Sequence, residues 1–407
     1  MSFIIPLISK VLIESILKPK VQKFINDNLN VDIPELLLSK NPFSEIPFPY
    51  LADQIISKRK AKTKLPSWFA NPDIVFPPPL NLEQSSSEPT AAYKFSNWQP
   101  LSLIDLTGGS AIDFSFLSRK SKRSYFIEPD EDLLELSKHN IQALGLKNVK
   151  FVNGKAEGFV DHFSDLPIDL IYIDPSRRKE QKKVFSFEDC SPNIRELIPG
   201  IFRICDHLLI KTSPLLDIKK SIKELGFVKE VHIVSVRNEC KEVLYFLENS
   251  FMGEASLRCV NLESSQNHYE FTFKHEESID TVPYTSLENE LFLYEPNSSI
   301  LKGGAFKSIA SKFDLSKISL NSHLYTSKAL HTDFPGRVFK IKGYSQASKK
   351  DVGKLLSTDK VNVSTRNFPL TSEQLKAKLK LRDGGDQYLF ATTLSGNKRI
   401  IIVCEKL

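Results

Sequence analysis

Asp105 closes a short apolar run, Leu103-Ile104-Asp105, and Leu106-Thr107-Gly108-Gly109-Ser110 follows it. An acid there can accept a hydrogen bond from a ligand amine, and glycines let the backbone approach a ligand closely. A helix beginning near Asp113 would add an anion-favouring end. Any tight strand-to-helix turn also wants a glycine, so this segment alone is weak. Glu128 ends the next apolar run. An acid at that point of an alternating strand–helix fold bonds ribose hydroxyls; the plainer reading is an acid favoured by a helix dipole. Asn153-Gly154-Lys155-Ala156 follows a third run, where an adenine ring would meet a backbone N–H and an acid. Lys155 stands in the acid's place, and Asn153 is either a substitute or a turn residue. Asp174-Pro175-Ser176-Arg177-Arg178 follows a fourth run. A carboxylate and the proline carbonyl can hold a target amine or ring N–H for transfer. Pro175 stiffens the loop, and an Arg can stack on a base or grip a phosphate. The plainer reading is a turn with a surface Arg pair. Upstream, Glu83-Gln84-Ser85-Ser86-Ser87-Glu88-Pro89-Thr90 reads as a capped helix start. Hydroxyls at a helix N-terminus also suit a ligand carboxylate.

These residues need elements to carry them. Strand-length apolar runs at 101–106, 124–127, 149–152, 170–173 and 208–211 alternate with helix-like stretches, clearest at 130–144 and 218–225. That alternation predicts a parallel, doubly wound sheet. Runs at 228–236 and 243–247 are joined too closely for a crossover helix, so they should form an antiparallel terminal pair. The predicted class is α/β, a Rossmann-like sheet of five parallel strands plus that pair. Val11, Ile13, Ile16 and Leu17, then Val21, Phe24 and Ile25, recur at helical spacing and predict an N-terminal helical cap. Pro77-Pro78-Pro79 ends it. Beyond residue 250, a hairpin over 257–262 and 269–273 is expected. Strands at 335–343 and 387–404 and a helix at 372–380, capped by Thr371 or Ser372, predict an α+β module.

At 407 residues the chain is long enough for two or three domains. Its 41% hydrophobic and 26% charged residues argue against wholesale disorder. Five Cys without CxxC pairs exclude a disulfide scaffold and the familiar zinc-finger spacings, and fit a reducing cytoplasm. The eight His show no ligand pairing, so no metal is expected. No apolar run approaches the ~20 residues of a membrane span, and the segment around Phe3–Ile8 is a poor signal peptide. The net charge of +6 hides an asymmetry. Residues 301–407 hold 20 Lys and Arg against 8 Asp and Glu, leaving the first 300 at −6. A basic quarter on an acidic body reads as a polyanion-binding appendage or as a solvated Lys-rich surface.

Taken together the chain resembles a Bacteroidetes family of class I S-adenosylmethionine-dependent methyltransferases with a C-terminal THUMP-like domain. The resemblance is carried by Glu83–Lys94, Asp105-Leu106-Thr107-Gly108-Gly109, Asp174-Pro175-Ser176-Arg177-Arg178 and Arg237-Asn238-Glu239-Cys240-Lys241-Glu242. Further along it is carried by Tyr294-Glu295-Pro296-Asn297, Gly303-Gly304-Ala305-Phe306-Lys307, Asn321-Ser322-His323-Leu324-Tyr325, Phe334-Pro335-Gly336-Arg337, Arg366-Asn367-Phe368-Pro369 and Asp383-Gly384-Gly385. It implies a helical region at 1–80, a methyltransferase domain at 81–280, a ferredoxin-like piece at 285–335 and a THUMP-like RNA-binding piece at 336–407. It implies S-adenosylmethionine held by Gln84, Ser85, Ser86, Thr90, Asp105, Thr107, Gly108, Gly109, Asp113, Glu128, Asn153 and Ala156. Asp174, Pro175 and Arg177 would serve catalysis. Structured RNA, tRNA or rRNA, would bind through residues 290–407. One position departs from this family's pattern: Ala111 stands for a third Gly. The loop at Asp174 also resembles the Asp-Pro-Pro-Tyr and Asp-Pro-Pro-Arg loops of methyltransferases that act on nucleobases, and against those Ser176 replaces the second Pro and Arg177 the aromatic.

Methylation of a pyrimidine at carbon 5 needs a Cys after the fifth strand, and Ile210-Lys211-Thr212-Ser213-Pro214 has none. Base nitrogen is therefore the expected target. The alternative is a methyltransferase-like scaffold that binds RNA without turnover, favoured by Ala111, Lys155 and Ser176. Hydride transfer is disfavoured by the terminal strand pair and the missing GxGxxG.

Overall fold

A computed structural model of the chain describes residues 10–165, 167–177, 187, 190–262 and 268–407. It divides into two compact units: Met1–Lys229 with Leu244–Met252, and Glu230–Val243 with Gly253–Leu407.

The first unit opens with seven helices, from Lys10–Ile16 to Glu88–Asn97. Ile13, Ile16, Val21, Ile25, Leu51 and Ile55 bury one shared face, joined by Leu136 from the later helix Glu131–Ala143. The helical region is thus tied to the sheet domain, not merely placed before it. Asn140 makes the tie specific: its side chain accepts from Val75 N at 3.1 Å and donates to Val75 O at 2.8 Å.

Five strands follow: β1 (Ser102–Asp105), β2 (Arg123–Glu128), β3 (Val149–Asn153), β4 (Leu170–Ile173) and, after a short β5 (Ser176–Arg177) and β6 (Cys190–Ser191), β7 (His207–Thr212). Their order is β3-β2-β1-β4-β7, and every pair is parallel. Leu103, Ile104, Phe126, Ile127, Ile171, Ile173, Leu208 and Leu209 are all buried, as a sheet covered on both faces requires. β5 and β6 pair antiparallel, Ser176 with Ser191 and Arg177 with Cys190. That ladder pins the loop after Asp174 and was not expected from the sequence.

β8 (Val228–Val236) and β9 (Glu239–Glu248) are sheet neighbours joined only by Arg237 and Asn238, with φ of 50° and 66°. Two successive left-handed residues make the tight turn of a hairpin. In the second unit β10 (Ser256–Leu262) runs parallel beside β8, and β11 (Tyr269–Phe271) pairs antiparallel with β10. The expected hairpin therefore extends a sheet and does not stand alone.

The rest of the second unit is a sheet of β12 (Phe292–Pro296), β13 (Ser316–Lys317), β14 (Tyr325–Ser327), β15 (Gly336–Ser345), β16 (Lys360–Arg366), β17 (Arg382–Thr393) and β18 (Arg399–Lys406). Their order is β13-β14-β12-β15-β18-β17-β16. Alternation splits its core in two. Leu293, Phe339, Phe390 and Ile402 face one side. Val361, Leu389, Ile401 and Val403 face the other, under Leu375 and Leu379 of helix Ser372–Leu379. Thr371 caps that helix, in a capping box with Gln374. The single strand expected over 387–404 is two, broken by a turn at Asn397 and Gly396, both at positive φ.

Candidate functional site

The C-terminal ends of β1, β2 and β4 open on one cleft of about 800 Å³. Asp105, Thr107, Gly108, Gly109, Asp113, Glu128, Ala156 and Asp174 line it, with Gln84, Ser85 and Ser86 from the segment before helix Glu88–Asn97. Carboxyl ends of parallel strands are where such sheets bind ligands.

The loop after β1 is built tightly. Gly108 N donates to Ile127 O at 2.8 Å, and a Cβ on Gly108 would lie 2.3 Å from the Phe126 ring. Only glycine permits that approach. Gly109 N donates to Glu128 Oε2 at 2.8 Å, and Asp130 N donates to Glu128 Oε1 at 2.9 Å. Glu128 therefore braces the glycine loop, and each oxygen keeps a second lone pair for a ligand. Burial raises its carboxyl above the usual range, against the two amides. Ala111 adopts φ 62° at the start of helix Ile112–Leu117. It occupies a left-handed position where glycine is the usual residue.

Asp105 is 1% exposed and accepts from Thr107 N at 2.9 Å. Burial pushes its carboxyl up to about 8, helped by Asp113, Asp174 and Glu128. Its folded pKa is raised, so stability falls as pH climbs from the unfolded value to the folded one. Asp105→Asn cannot ionise. The stability of that variant relative to wild type, followed by thermal melts, is expected to rise from pH 5 to 8, by on the order of 1 kcal/mol per pH unit, and then level. A flat difference would mean Asp105 is not buried as described.

At the other end of the cleft Asp113 is a hub. Its Oδ2 accepts from Ser86 Oγ at 2.8 Å, Tyr172 OH at 2.7 Å and Lys211 Nζ at 3.1 Å. Lys94 Nζ lies 3.1 Å from Oδ1. Lys94 is fully buried and Lys211 nearly so. Burial would raise the Asp113 carboxyl, but Lys211 and Lys94 together hold it well below the usual carboxylate range. Lys211 Nζ also reaches Asp174 Oδ2 at 2.5 Å, while Asp174 N donates to Thr107 Oγ1 at 2.7 Å. Asp174 is thus fixed at both ends, its side chain still 37% exposed. Burial raises its carboxyl, and Lys211 opposes that shift.

Not every expected residue reaches the cleft. The Thr90 hydroxyl is buried and donates to Ser87 O at 2.9 Å. The Asn153 amide donates to Glu128 O and Pro129 O, both at 3.2 Å, tying β3 to β2. Pro175 is not among the residues lining the cleft, whereas its neighbours Asp174 and Ser176 are. Arg177 is described only through its backbone pairing with Cys190, and Arg178 lies outside the described residues. The expected cap also differs: Ser87 precedes the helix, but its hydroxyl sits 3.3 Å from Thr90 Oγ1 and bonds no backbone N–H. Lys94, Tyr172 and Lys211 were not anticipated. Their one signal was position: Lys211 ends the fifth apolar run, and Lys94 shares a helix face with Ala91.

The chain covers 98% of a crystal structure described as a "putative methyltransferase from Porphyromonas gingivalis W83" at 31% identity, with 97% of this chain aligned and a TM-score of 0.85. A curated relative, "Probable cobalt-precorrin-6B C(15)-methyltransferase (decarboxylating)" of Sulfurisphaera tokodaii, is 31% identical over 123 residues. That stretch is 30% of this chain and spans 64% of the relative's length. Family models match in three places: Conserved hypothetical protein 95 at residues 93–189, a ferredoxin-like domain at 292–335 and a THUMP domain-like module at 336–406. With the sheet order, the cleft and a full-length relative in agreement, the chain belongs to the family of methyltransferases that carry a C-terminal THUMP-like domain.

Proposed function

We propose that the protein is a cytoplasmic, S-adenosylmethionine-dependent RNA methyltransferase acting on a base nitrogen of tRNA or rRNA. The observation that carries the reading is the convergence of Asp105, the Gly108–Gly109 loop, Glu128 and Asp174 on one cleft. Charge agrees with the cofactor. Lys94, Lys155 and Lys211 face Asp113, Glu128, Glu157 and Asp174, a formal sum of −1, or −2 when Asp105 ionises. S-adenosylmethionine carries an ammonium, a sulfonium and a carboxylate, a sum of +1.

When bound, the cofactor supplies an electrophilic methyl group. Asp105 would accept from its ammonium, Glu128 from its ribose hydroxyls, and Lys211 with Ser86 would meet its carboxylate. Asp174 would accept the N–H of the target nitrogen, hold that nitrogen in line, and take the proton released as the N–C bond forms and the methyl–sulfur bond breaks, the thioether departing with the bonding pair. Lys211 keeps the Asp174 carboxylate available for that role. No cysteine is among the described residues lining the cleft, which supports nitrogen over a pyrimidine carbon. The basic balance of residues 301–407 supports RNA as the partner.

Isothermal calorimetry with S-adenosylmethionine, followed by labelled methyl transfer to tRNA and rRNA, tests this. Binding without transfer would leave an RNA-binding scaffold; no binding would end the reading. Nucleoside mass spectrometry with and without the gene would name the modified base. Glu128→Ala should weaken cofactor binding by tenfold or more, the loss of a charged hydrogen bond of about 1.5–3 kcal/mol. Unchanged affinity in a variant of native melting temperature would remove Glu128 from the ribose.

A further inference from the structure

The second unit holds a second cluster, centred on Glu295 of β12, which is 2% exposed. Arg337 of β15 lies directly across the ladder from it. Arg337 Nε donates to Glu295 Oε2 at 2.7 Å and its Nη2 lies 2.5 Å away. Arg366, at the end of β16, takes the other oxygen, with Nη2 at 2.9 Å and Nε at 3.3 Å. One buried carboxylate thus fixes two guanidinium groups. A Cβ on Gly336 would lie 2.1 Å from Glu295 O, so glycine is needed for the strands to close at this point.

Neither arginine is consumed by the pairing. Their side chains remain 36% and 40% exposed. Each uses Nε and Nη2 on Glu295, and among the described residues neither Nη1 has a protein acceptor. The Arg337 guanidinium is further oriented by the rings of Phe339 and Tyr388, at 5.4 and 5.8 Å. Two forks held rigid, partly exposed and each with Nη1 unclaimed by Glu295, match phosphate oxygens.

Near Arg366, whose charge acts on His323, Phe306 and His323 stack with ring centroids 3.8 Å apart, both half-buried. Lys317 Nζ lies 5.9 Å above the Phe306 ring. Burial, and then the charges of Lys317 and Arg366, push the His323 imidazole down to about 4, so it is a neutral ring at pH 7. Arg337, Arg366, Lys307 and Lys317 outweigh Glu276 and Glu295, a local formal charge of +2. Fixed cations beside a stacked aromatic pair are the means by which unpaired nucleotides are held.

We propose that Arg337 and Arg366, braced on Glu295, clamp the phosphate flanking an unpaired nucleotide of structured RNA, whose base lies against the His323–Phe306 stack. The proposal rests on the RNA reading above and assigns it a place. The test uses the full chain and fluorescently labelled bulk tRNA, titrated from 50 to 200 mM KCl, with cofactor affinity measured in parallel. Arg366→Gln and Arg337→Gln should each weaken tRNA binding about tenfold and lower the salt slope by about 0.7–0.9, one phosphate contact, with cofactor affinity unchanged. Arg366→Lys, which keeps the charge without the fork, should fall between and serves if the Gln variants fold poorly. Wild-type Kd and slope in the folded variants would overturn the clamp while leaving the RNA reading standing. A wild-type protein that binds cofactor but no tRNA or rRNA overturns both, as does Arg-dependent binding to anionic vesicles in place of RNA.

Discussion

Asp174→Ala is expected to slow methyl transfer by about 10²-fold or more while leaving RNA and cofactor binding nearly intact. The residue ends a fully buried strand, so its carboxylate projects at the sheet edge where transfer would occur. Its backbone is held by Thr107 and its Oδ2 by Lys211. A group so constrained contributes orientation, an effect realised at the transition state and not in binding. Asp174→Asn separates geometry from charge: it keeps an acceptor but cannot receive a proton, so a defect as large as that of Ala points to proton acceptance. Single-turnover transfer from labelled cofactor, with RNA binding measured on the same variants, decides the matter. Transfer at the wild-type rate would make the loop a structural turn and move the active site elsewhere.

Asp113→Ala should cost stability, by about 3–5 kcal/mol, or roughly 10 °C in melting temperature. It removes a carboxylate that ion-pairs with two buried lysines, and Lys94, fully buried, has no solvent to turn to. The sign with pH follows from the depressed carboxyl. Asp113 is ionised in both states near neutrality, so its contribution is complete above pH about 4 and disappears as pH falls toward its lower folded value. The gap between wild type and variant should therefore be widest at pH 7 and narrow in acid. Thermal melts from pH 3 to 7 check it; a constant small gap would mean the hub is not a closed ionic cluster. Lys94→Met with Asp113→Leu, which removes charges of both signs, should recover much of the loss.

How legible this was in the sequence depends on range. β1, β2, β4 and β7 were readable because strands covered on both faces are continuous apolar runs, and the acids Asp105 and Glu128 stand where two of those runs stop. The glycine loop was readable because Gly108 and Gly109 interrupt a run at a fixed place. What escaped was set by contacts between distant residues. Lys211 and Asp113 are 98 positions apart, and Val75 and Asn140 are 65 apart. A lysine at a strand end reads as solvated until the fold places a carboxylate against it. Asn153 failed the opposite way: its type and position suited a ligand, but the nearer backbone of Glu128 and Pro129 claimed its amide.

Residues 230–243 belong to the second unit although the chain returns to the first at 244–252. β10 takes its neighbour from that early stretch, pairing from Ser256 with Glu230 to Leu262 with Val236. A fragment beginning at 253 would leave β10 without β8, and one ending at 229 would lack part of the first unit. Neither unit is a contiguous cassette. A single cut in the chain therefore cannot release either unit with all of its strands.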